Sequence, residues 1–159
     1  MYFLRDLHSA DIEWLVEAGA DPAIQQWSSV GTSLTGPAAQ QLIAGSSDEL
    51  KVWAIVTEQG QAVGTITLHA IDGINATADV GYWILPQARR QGAARAALQM
   101  VEAELKTIPE VQRVQLNIME GNHASFLLAQ GLGYKKKSSG QCSCGNQGEV
   151  QSVLYEKTL

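Results

Sequence analysis

Apolar residues recur at helical spacing in the stretch ADIEWLVEAG, where Ile12, Leu15 and Val16 form a stripe that closes on Gly19. The pattern predicts a first helix, with Ser9 as its N-cap and the glycine as its stop. DPAIQQW, Asp21 to Trp27, reads as a turn followed by a short irregular segment, and Pro37 opens a second helix near Ala38 to Ala44. The pattern then changes. KVWAIVTEQGQAVGTITLHAI holds two β-rich runs around Glu58-Gln59-Gly60-Gln61, which is hairpin composition. ATADVGYWIL follows as a fourth strand, counting a short strand expected at Tyr2 to Leu4.

From Gln91 to about Lys106 the helical period returns, with Ala94, Ala97, Leu98, Val101 and Leu105 on one face and Pro109 marking the end. VQRVQLNIM is a fifth strand, HASFLLAQG a short helix stopped by Gly131, GYKKKS a sixth strand and EVQSVLYEKTL a seventh. No repeat or linker interrupts the chain, and only residues 138–148 read as a mobile loop. The expectation is an α+β domain spanning residues 1–159. It has a mixed, mostly antiparallel sheet of six to seven strands, flanked by about four helices, with one βαβ crossover through the Gln91 helix.

Composition narrows the function. With 159 residues and 45% hydrophobic content the chain is large enough for a sizeable core. A formal net charge of −5 argues against nucleic acid or an anionic membrane as the main partner, because both are bound through excess Lys and Arg. No apolar run approaches the ~20 residues of a membrane span, and the start of the chain turns charged at Arg5 and Asp6, too early for a secretory signal, so a cytoplasmic protein is expected. Cys142 and Cys144 lie one residue apart in the Gly- and Ser-rich stretch GQCSCGNQG. Two thiolates fall short of a structural zinc's four ligands, and His8, His69 and His123 do not stand at zinc-finger spacing. An ordinary loop without metal is the expectation there.

The chemistry-bearing stretch is GYWILPQARRQGAARAAL, Gly81 to Leu98, in which a strand runs through Pro86 and two arginines into an alanine-rich helix. The first N–H groups of a helix lack partners inside it, and with the helix dipole they favour an anion such as phosphate. Gly92 has no Cβ to keep phosphate oxygens away, Ala93 and Ala94 are small, and Arg89, Arg90 and Arg95 supply local cations. For these arginines the competing reading is a solvated helix start.

Taken with the strand that ends in EGNHAS, this arrangement resembles the acyl-CoA-dependent N-acetyltransferases of the GNAT superfamily, whose signature of Arg or Gln, two residues, Gly, one residue, Gly or Ala is met by Arg89, Gly92 and Ala94. DPAIQQW, VGTITLHAID, ADVGYWILPQARRQGAARAAL, QRVQLNIMEGNHAS and GLGYKK follow the order of the RimJ- and RimL-like branch. The resemblance implies acetyl-CoA as co-substrate. Backbone groups of Tyr82, Trp83 and Ile84 are then expected to hold the pantetheine arm and the acetyl carbonyl, and the N–H groups of Arg90, Gln91, Gly92, Ala93, Ala94 and Arg95 the pyrophosphate. Asn122 is either a helix N-cap, a hydrogen-bond partner of the pantetheine, or both. Ser125 matches a hydroxyl that protonates the leaving sulfur; the alternative is a first-turn helix serine bonded to water or backbone.

The base is the weakest part of the resemblance. In RimI-type enzymes a glutamate and a tyrosine move the protons, and the matching positions here are Asn117 and Ala129. Asp79 matches a carboxylate used as base elsewhere in the superfamily, with a strand-end carboxylate in a solvent network as the competing reading; Glu149 and His69 are weaker candidates, and His123 reads as exposed. An α-amine with a pKa about 8 is roughly a tenth neutral at pH 7, whereas a lysine near 10.4 is neutral only to some parts in ten thousand. A chain without an obvious base therefore suits an α-amine or another weakly basic amine.

The leading expectation is acetyl transfer to the primary amine of a protein N-terminus or a small molecule, by a monomer or homodimer, with the acceptor cleft between DPAIQQWSS and the loop before the last strand and with Trp27 on its wall. The alternatives are a CoA-binding sensor or partner-binding module without turnover, and a purely structural domain that binds no CoA.

Overall fold

Period-2 burial along the β-rich runs assembles them into one seven-stranded sheet; the computed structural model describes residues 1–28, 34–45 and 50–159. The strands are β1 (Tyr2–Asp6), β2 (Lys51–Thr57), β3 (Ala62–Asp72), β4 (Thr77–Ile84), β5 (Arg113–Met119), β6 (Lys135–Cys142) and β7 (Val150–Thr158), in the order β1-β2-β3-β4-β5-β7-β6. All neighbours are antiparallel except β4 and β5, which run parallel because the chain crosses over between them through a helix. Among the described residues there are five helices: α1 (Ile12–Ala18), α2 (Pro22–Trp27), α3 (Gly36–Ala44), α4 (Ala93–Leu105) and α5 (His123–Gly131).

The crossover helix α4 carries the main core. Its Ala97, Leu98 and Val101 are fully buried against Ile66, Ala78, Val80, Val114 and Leu116 of the central strands. Each large side chain taken out of water there contributes about 1.5–3 kcal/mol. A single carboxylate staples this layer to the far side of the sheet: Glu102 accepts from the Tyr134 hydroxyl at 2.7 Å and from Lys157 Nζ at 2.8 Å. On the opposite face α1, α2 and α3 pack more lightly, with Ala18, Ile24 and Leu85 as a small second core beside Trp14 and Trp83.

Four local expectations are corrected. DPAIQQW is a short helix rather than an irregular segment, because Asp21 caps it by accepting from the Ile24 N–H and Pro22 sits where its missing N–H costs nothing. Ser9 is not the cap of α1: Ser9–Asp11 is a 3-10 turn, and α1 starts at Ile12. The crossover helix begins two residues after Gln91, since Arg90 and Gly92 both have positive φ and break the helical path. Residues 138–142 continue β6 instead of opening a loop, drawn into the ladder by pairing with β7 from Leu154 to Val150.

Asp11 organises the lighter face. Its carboxylate, 2% exposed, takes two hydrogen bonds from Arg5 at 2.8 Å, one from the His8 N–H at 2.8 Å and one from Trp14 Nε1 at 2.7 Å. Trp14 in turn meets Trp83 of β4 at 6.0 Å between ring centroids. Burial alone pushes this carboxyl up, but the bonds from Arg5, Trp14 and His8 and the charge of Arg5 outweigh it and hold the group well below the ordinary carboxylate range. A depressed folded pKa means that the stabilisation is present above the unfolded value near 3.8 and is lost as pH falls through the folded one. Asp11→Asn is therefore expected to cost about 2–4 kcal/mol in urea unfolding at pH 7. The gap between variant and wild type narrows below about pH 4, as the unfolded chain's Asp11 takes up a proton that the folded one still refuses.

Candidate active site

β4 and β5 pair over only three positions, Thr77↔Arg113, Ala78↔Val114 and Asp79↔Gln115, and then part. Beyond that point β4 stays with β3 up to Ile84 and β5 stays with β7 up to Met119. Backbone direction alternates along a strand, and the Leu85 N–H bonds the Val63 carbonyl of the β3 segment at 2.8 Å. By that alternation Gly81 and Trp83 also face β3, while Val80, Tyr82 and Ile84 turn toward β5; the Asp79↔Gln115 pairing occupies the Val80 N–H, and the Val80 C=O and the groups of Tyr82 and Ile84 open into the gap. The Ile84 carbonyl is taken by Arg89 Nε at 3.0 Å. Of the three residues expected to offer backbone groups, Tyr82 offers both, Ile84 its N–H, and Trp83 contributes its side chain to the wall of the cleft below.

The start of α4 lies at the end of this gap. Its N-cap, Gly92, has φ +88° with nothing within 4 Å of where a Cβ would stand, and Arg90 before it has φ +62°. The first helical bond is Ala96 N–H to Gly92 O at 3.0 Å, so the helix gives the N–H groups of Ala93, Ala94 and Arg95 no partner. No side chain caps them. Successive N–H groups in such a turn form a concave anion seat. Gln91 is held away from it, its carbonyl accepting from the Tyr2 hydroxyl and its amide bonding Gln87 O. The arginines separate in role: Arg89 is committed to Asp21 at 2.6 Å and so anchors α2, whereas Arg90 is exposed and Arg95 lies over Gly131 of α5, where a Cβ would come within 2.7 Å of its guanidinium. The sequence pattern alone does not separate Arg89 from the other two.

At the top of β5 the chain enters α5. Asn122 Oδ1 caps it by accepting from the Ser125 N–H at 3.4 Å. The Ser125 hydroxyl accepts a hydrogen bond of 3.0 Å from the Tyr82 hydroxyl. Burial raises the Tyr82 phenol above its ordinary value, only partly offset by that bond. With the tyrosine donating, the serine's own proton is free to be given elsewhere. The Tyr82 side chain was missed by sequence reasoning. The available signal was that Ala78, Val80 and Tyr82 share the α4-covered face by period 2.

The other face of the gap opens into a cleft of about 760 Å³, lined by Trp27, Thr65, Thr67, His69, Asp79, Gly81, Trp83, Asn117 and Cys144 among others. Trp27 lies 3.4 Å from the position of a Gly121 Cβ, and Gly145 is packed so tightly on the Gln26 carbonyl that no side chain fits. The segment between β6 and β7 therefore sits on α2, and the cleft lies between them; Ser29, at the end of DPAIQQWSS, is outside the described residues. Asp79 is half-buried there, and desolvation raises its carboxyl above the ordinary range, with the nearby His69 charge opposing. The cysteines depart from expectation: Cys142 and Cys144 form a disulfide that fastens the end of β6, and the Asn117 amide points at Cys144 Sγ across 3.8 Å. Glu149 and His123 are exposed and do not line the cleft. Among the described residues no cluster of His, Cys, Asp or Glu could hold a metal ion, and no helix is long and apolar enough to cross a membrane.

Residues 2–135 match the family model described as the acetyltransferase (GNAT) domain. YdaF of Bacillus subtilis (strain 168), named as a candidate ribosomal N-acetyltransferase, is 25% identical over 100 residues, which take in 63% of this chain and 55% of that relative's length. Two solved structures share the fold over 99% of this chain. Spermidine N-acetyltransferase from Vibrio cholerae, in complex with CoA and spermine, matches with TM-score 0.84, 16% identity and 95% of its own chain covered. An acetyltransferase from Salmonella typhimurium that modifies the N-terminal serine of a 50S ribosomal subunit protein matches with TM-score 0.81, 21% identity and 95% of its chain covered. The chain belongs to the GNAT acetyltransferase family, whose co-substrate is acetyl-CoA, and its relatives include ribosomal-protein acetyltransferases of the RimJ and RimL type.

Proposed function

We propose that residues 1–159 act as one N-acetyltransferase domain that moves the acetyl group of acetyl-CoA directly to a primary amine in a ternary complex. The observation that carries this reading is the parting of β4 from β5 after Asp79, with an anion seat and a hydroxyl pair on one side and a cleft on the other. The Val80 C=O, both backbone groups of Tyr82 and the Ile84 N–H are left unpaired and suit the amides of a pantetheine arm. The N–H groups of Ala93, Ala94 and Arg95, with the charges of Arg90 and Arg95, suit a pyrophosphate. Asn122, already the cap of α5, keeps its amide N–H₂ free to donate to the same arm.

The bound thioester supplies an activated acetyl carbonyl. A backbone N–H of β4 stabilises the negative charge that develops on the carbonyl oxygen, and Ser125 gives its proton to the departing sulfur. Tyr82 donates to the serine oxygen and passes its proton on as the proton shed by the acceptor nitrogen is taken up, so that serine and tyrosine both end protonated. The amine enters by the cleft past Trp27, where Asp79 supplies negative charge for its ammonium form. Relatives named for a protein N-terminus and for spermidine support an amine acceptor of one of these two kinds.

The reading is tested by following thiol release from acetyl-CoA over a panel of serine-initiated peptides, polyamines and amino sugars. Release with at least one amine is expected, and binding of acetyl-CoA without release on any would replace the transferase with a sensor. Gly92→Glu is expected to abolish acetyl-CoA binding in calorimetry while the fold survives, because the site is open but the new residue brings a negative charge into the seat at a positive φ. Ser125→Ala is expected to lower kcat by about ten- to a hundredfold with unchanged acetyl-CoA affinity, since a thiol of pKa about 8.5 leaves tolerably without help. Tyr82→Phe keeps the ring and loses only the relay, and a severalfold fall in kcat at unchanged affinity is expected.

A further inference from the structure

The ladder between β3 and β4 slips between Leu68 and Ala70, and the extra residue is His69. Leu68 and Ile71 both pack into the α4-side core, which with normal alternation is impossible for residues three apart. The bulge absorbs the difference beyond His69, and His69 itself stays on the cleft face with Thr65 and Thr67 by ordinary alternation. The ring then fills a place that β4 leaves empty: a Cβ on Gly81 would stand 2.6 Å from His69 Nε2. The alternation of β3 and a glycine on the neighbouring strand thus seat one imidazole in the cleft beside Asp79.

We propose that His69 is the base that takes the proton from the acceptor's ammonium, while Asp79 holds that ammonium against it. The inference rests on the reading of this cleft as the acceptor site. No hydrogen bond joins His69 to Asp79, so both remain available to a third group between them. The other polar groups on the wall include the hydroxyls of Thr65 and Thr67 from β3, Asn117 from β5, and Asn122 and Ser125 at the start of α5, none of which carries a charge. Tyr82 has its phenol pushed up by burial, and Cys144 is tied in its disulfide. Among the described residues on this wall, His69 and Asp79 are the remaining ionisable side chains, and no Lys or Arg lies there to compete with an incoming cation. The proton balance closes. The nitrogen sheds two protons as its bond to the acetyl carbon forms and the carbon–sulfur bond breaks: one leaves through His69 to solvent, and the sulfur gains one from Ser125, which is made good by the second.

The experiment compares pH profiles of kcat/KM for wild type, His69→Gln and Asp79→Asn, at saturating acetyl-CoA and with an amine from the panel that wild type acetylates. Loss of the rising limb between about pH 5.5 and 7.5 is expected for His69→Gln, with a ten- to hundredfold deficit near pH 7 that shrinks toward the amine's own pKa, and with unchanged acetyl-CoA affinity. Asp79→Asn is expected to raise the amine's KM more than it lowers kcat. Gly81→Ala, whose methyl displaces the ring, is expected to reproduce the His69→Gln profile, with circular dichroism confirming the fold. A His69→Gln profile that tracks wild type at a constant ratio overturns the assignment and leaves the transferase reading intact. A wild type that binds acetyl-CoA yet acetylates no amine overturns both.

Discussion

The structure turns on one seam. β4 and β5 are the sheet's parallel neighbours, joined by a crossover that must run back over the sheet as α4, and each has an antiparallel partner on its other side. β4 holds eight pairs with β3 and β5 holds seven with β7, against three pairs between the two. The two halves of the sheet can therefore diverge without dissolving. The price is a set of backbone groups with no partner: the Val80 C=O, the N–H and C=O of Tyr82 and the Ile84 N–H. Such groups cost about 1–3 kcal/mol each if buried dry, so the gap wants water or an amide-bearing ligand. The same crossover delivers the uncapped N-terminus of α4 to the end of the gap, which is why a seat for an extended chain and a seat for an anion arise together.

A gap through a sheet also connects two environments that a closed sheet would keep apart. On the α4 and α5 side lie Tyr82 and Ser125, packed against the main core and short of water. On the α1, α2 and α3 side lie His69 and Asp79, in an open cleft. Arg89 links the two faces mechanically, bonding the Ile84 carbonyl at the end of β4 and Asp21 at the cap of α2. Trp14, pinned by Asp11, does the same through Trp83.

Much of this was legible in the sequence where the signal is local. The strand-to-helix stretch from Gly81 to Leu98, the Asn122 cap and the order of strands follow from periodicity and from residues within a few positions of each other. What was not legible depends on pairing over long separations. The Tyr82–Ser125 bond spans 43 positions, and nothing near either residue announces the other. His69 gains its place because Gly81 on β4 leaves room for its ring, and which residue of the next strand faces it cannot be read from a run of alternating residues. Arg89 looked like its neighbours until Asp21 was brought beside it. Residues 138–148 looked like a loop because Gly and Ser dominate; β7 decides that the first five are strand, and the Cys142–Cys144 disulfide, which a count of zinc ligands does not address, fastens its end.

The acid–base arithmetic of the cleft bears on the acceptor. An imidazole in water titrates near 6.5, an α-amine near 8 and a lysine near 10.4. Proton transfer to an imidazole from an α-ammonium is uphill by about 1.5 units, or about 2 kcal/mol, and from a lysine by about 4 units, or about 5 kcal/mol. The first is a small part of an ordinary catalytic barrier, whereas the second consumes several hundredfold more rate before the bond to carbon begins to form. A carboxylate of raised pKa, such as Asp79, draws either cation in but does not narrow that difference, because it favours the charged form of both. What narrows it is charge on the acceptor itself: a second ammonium nearby lowers the pKa of the first. With His69 as the proposed base, proton affinity alone makes α-amines and polyamines better acceptors than an isolated lysine.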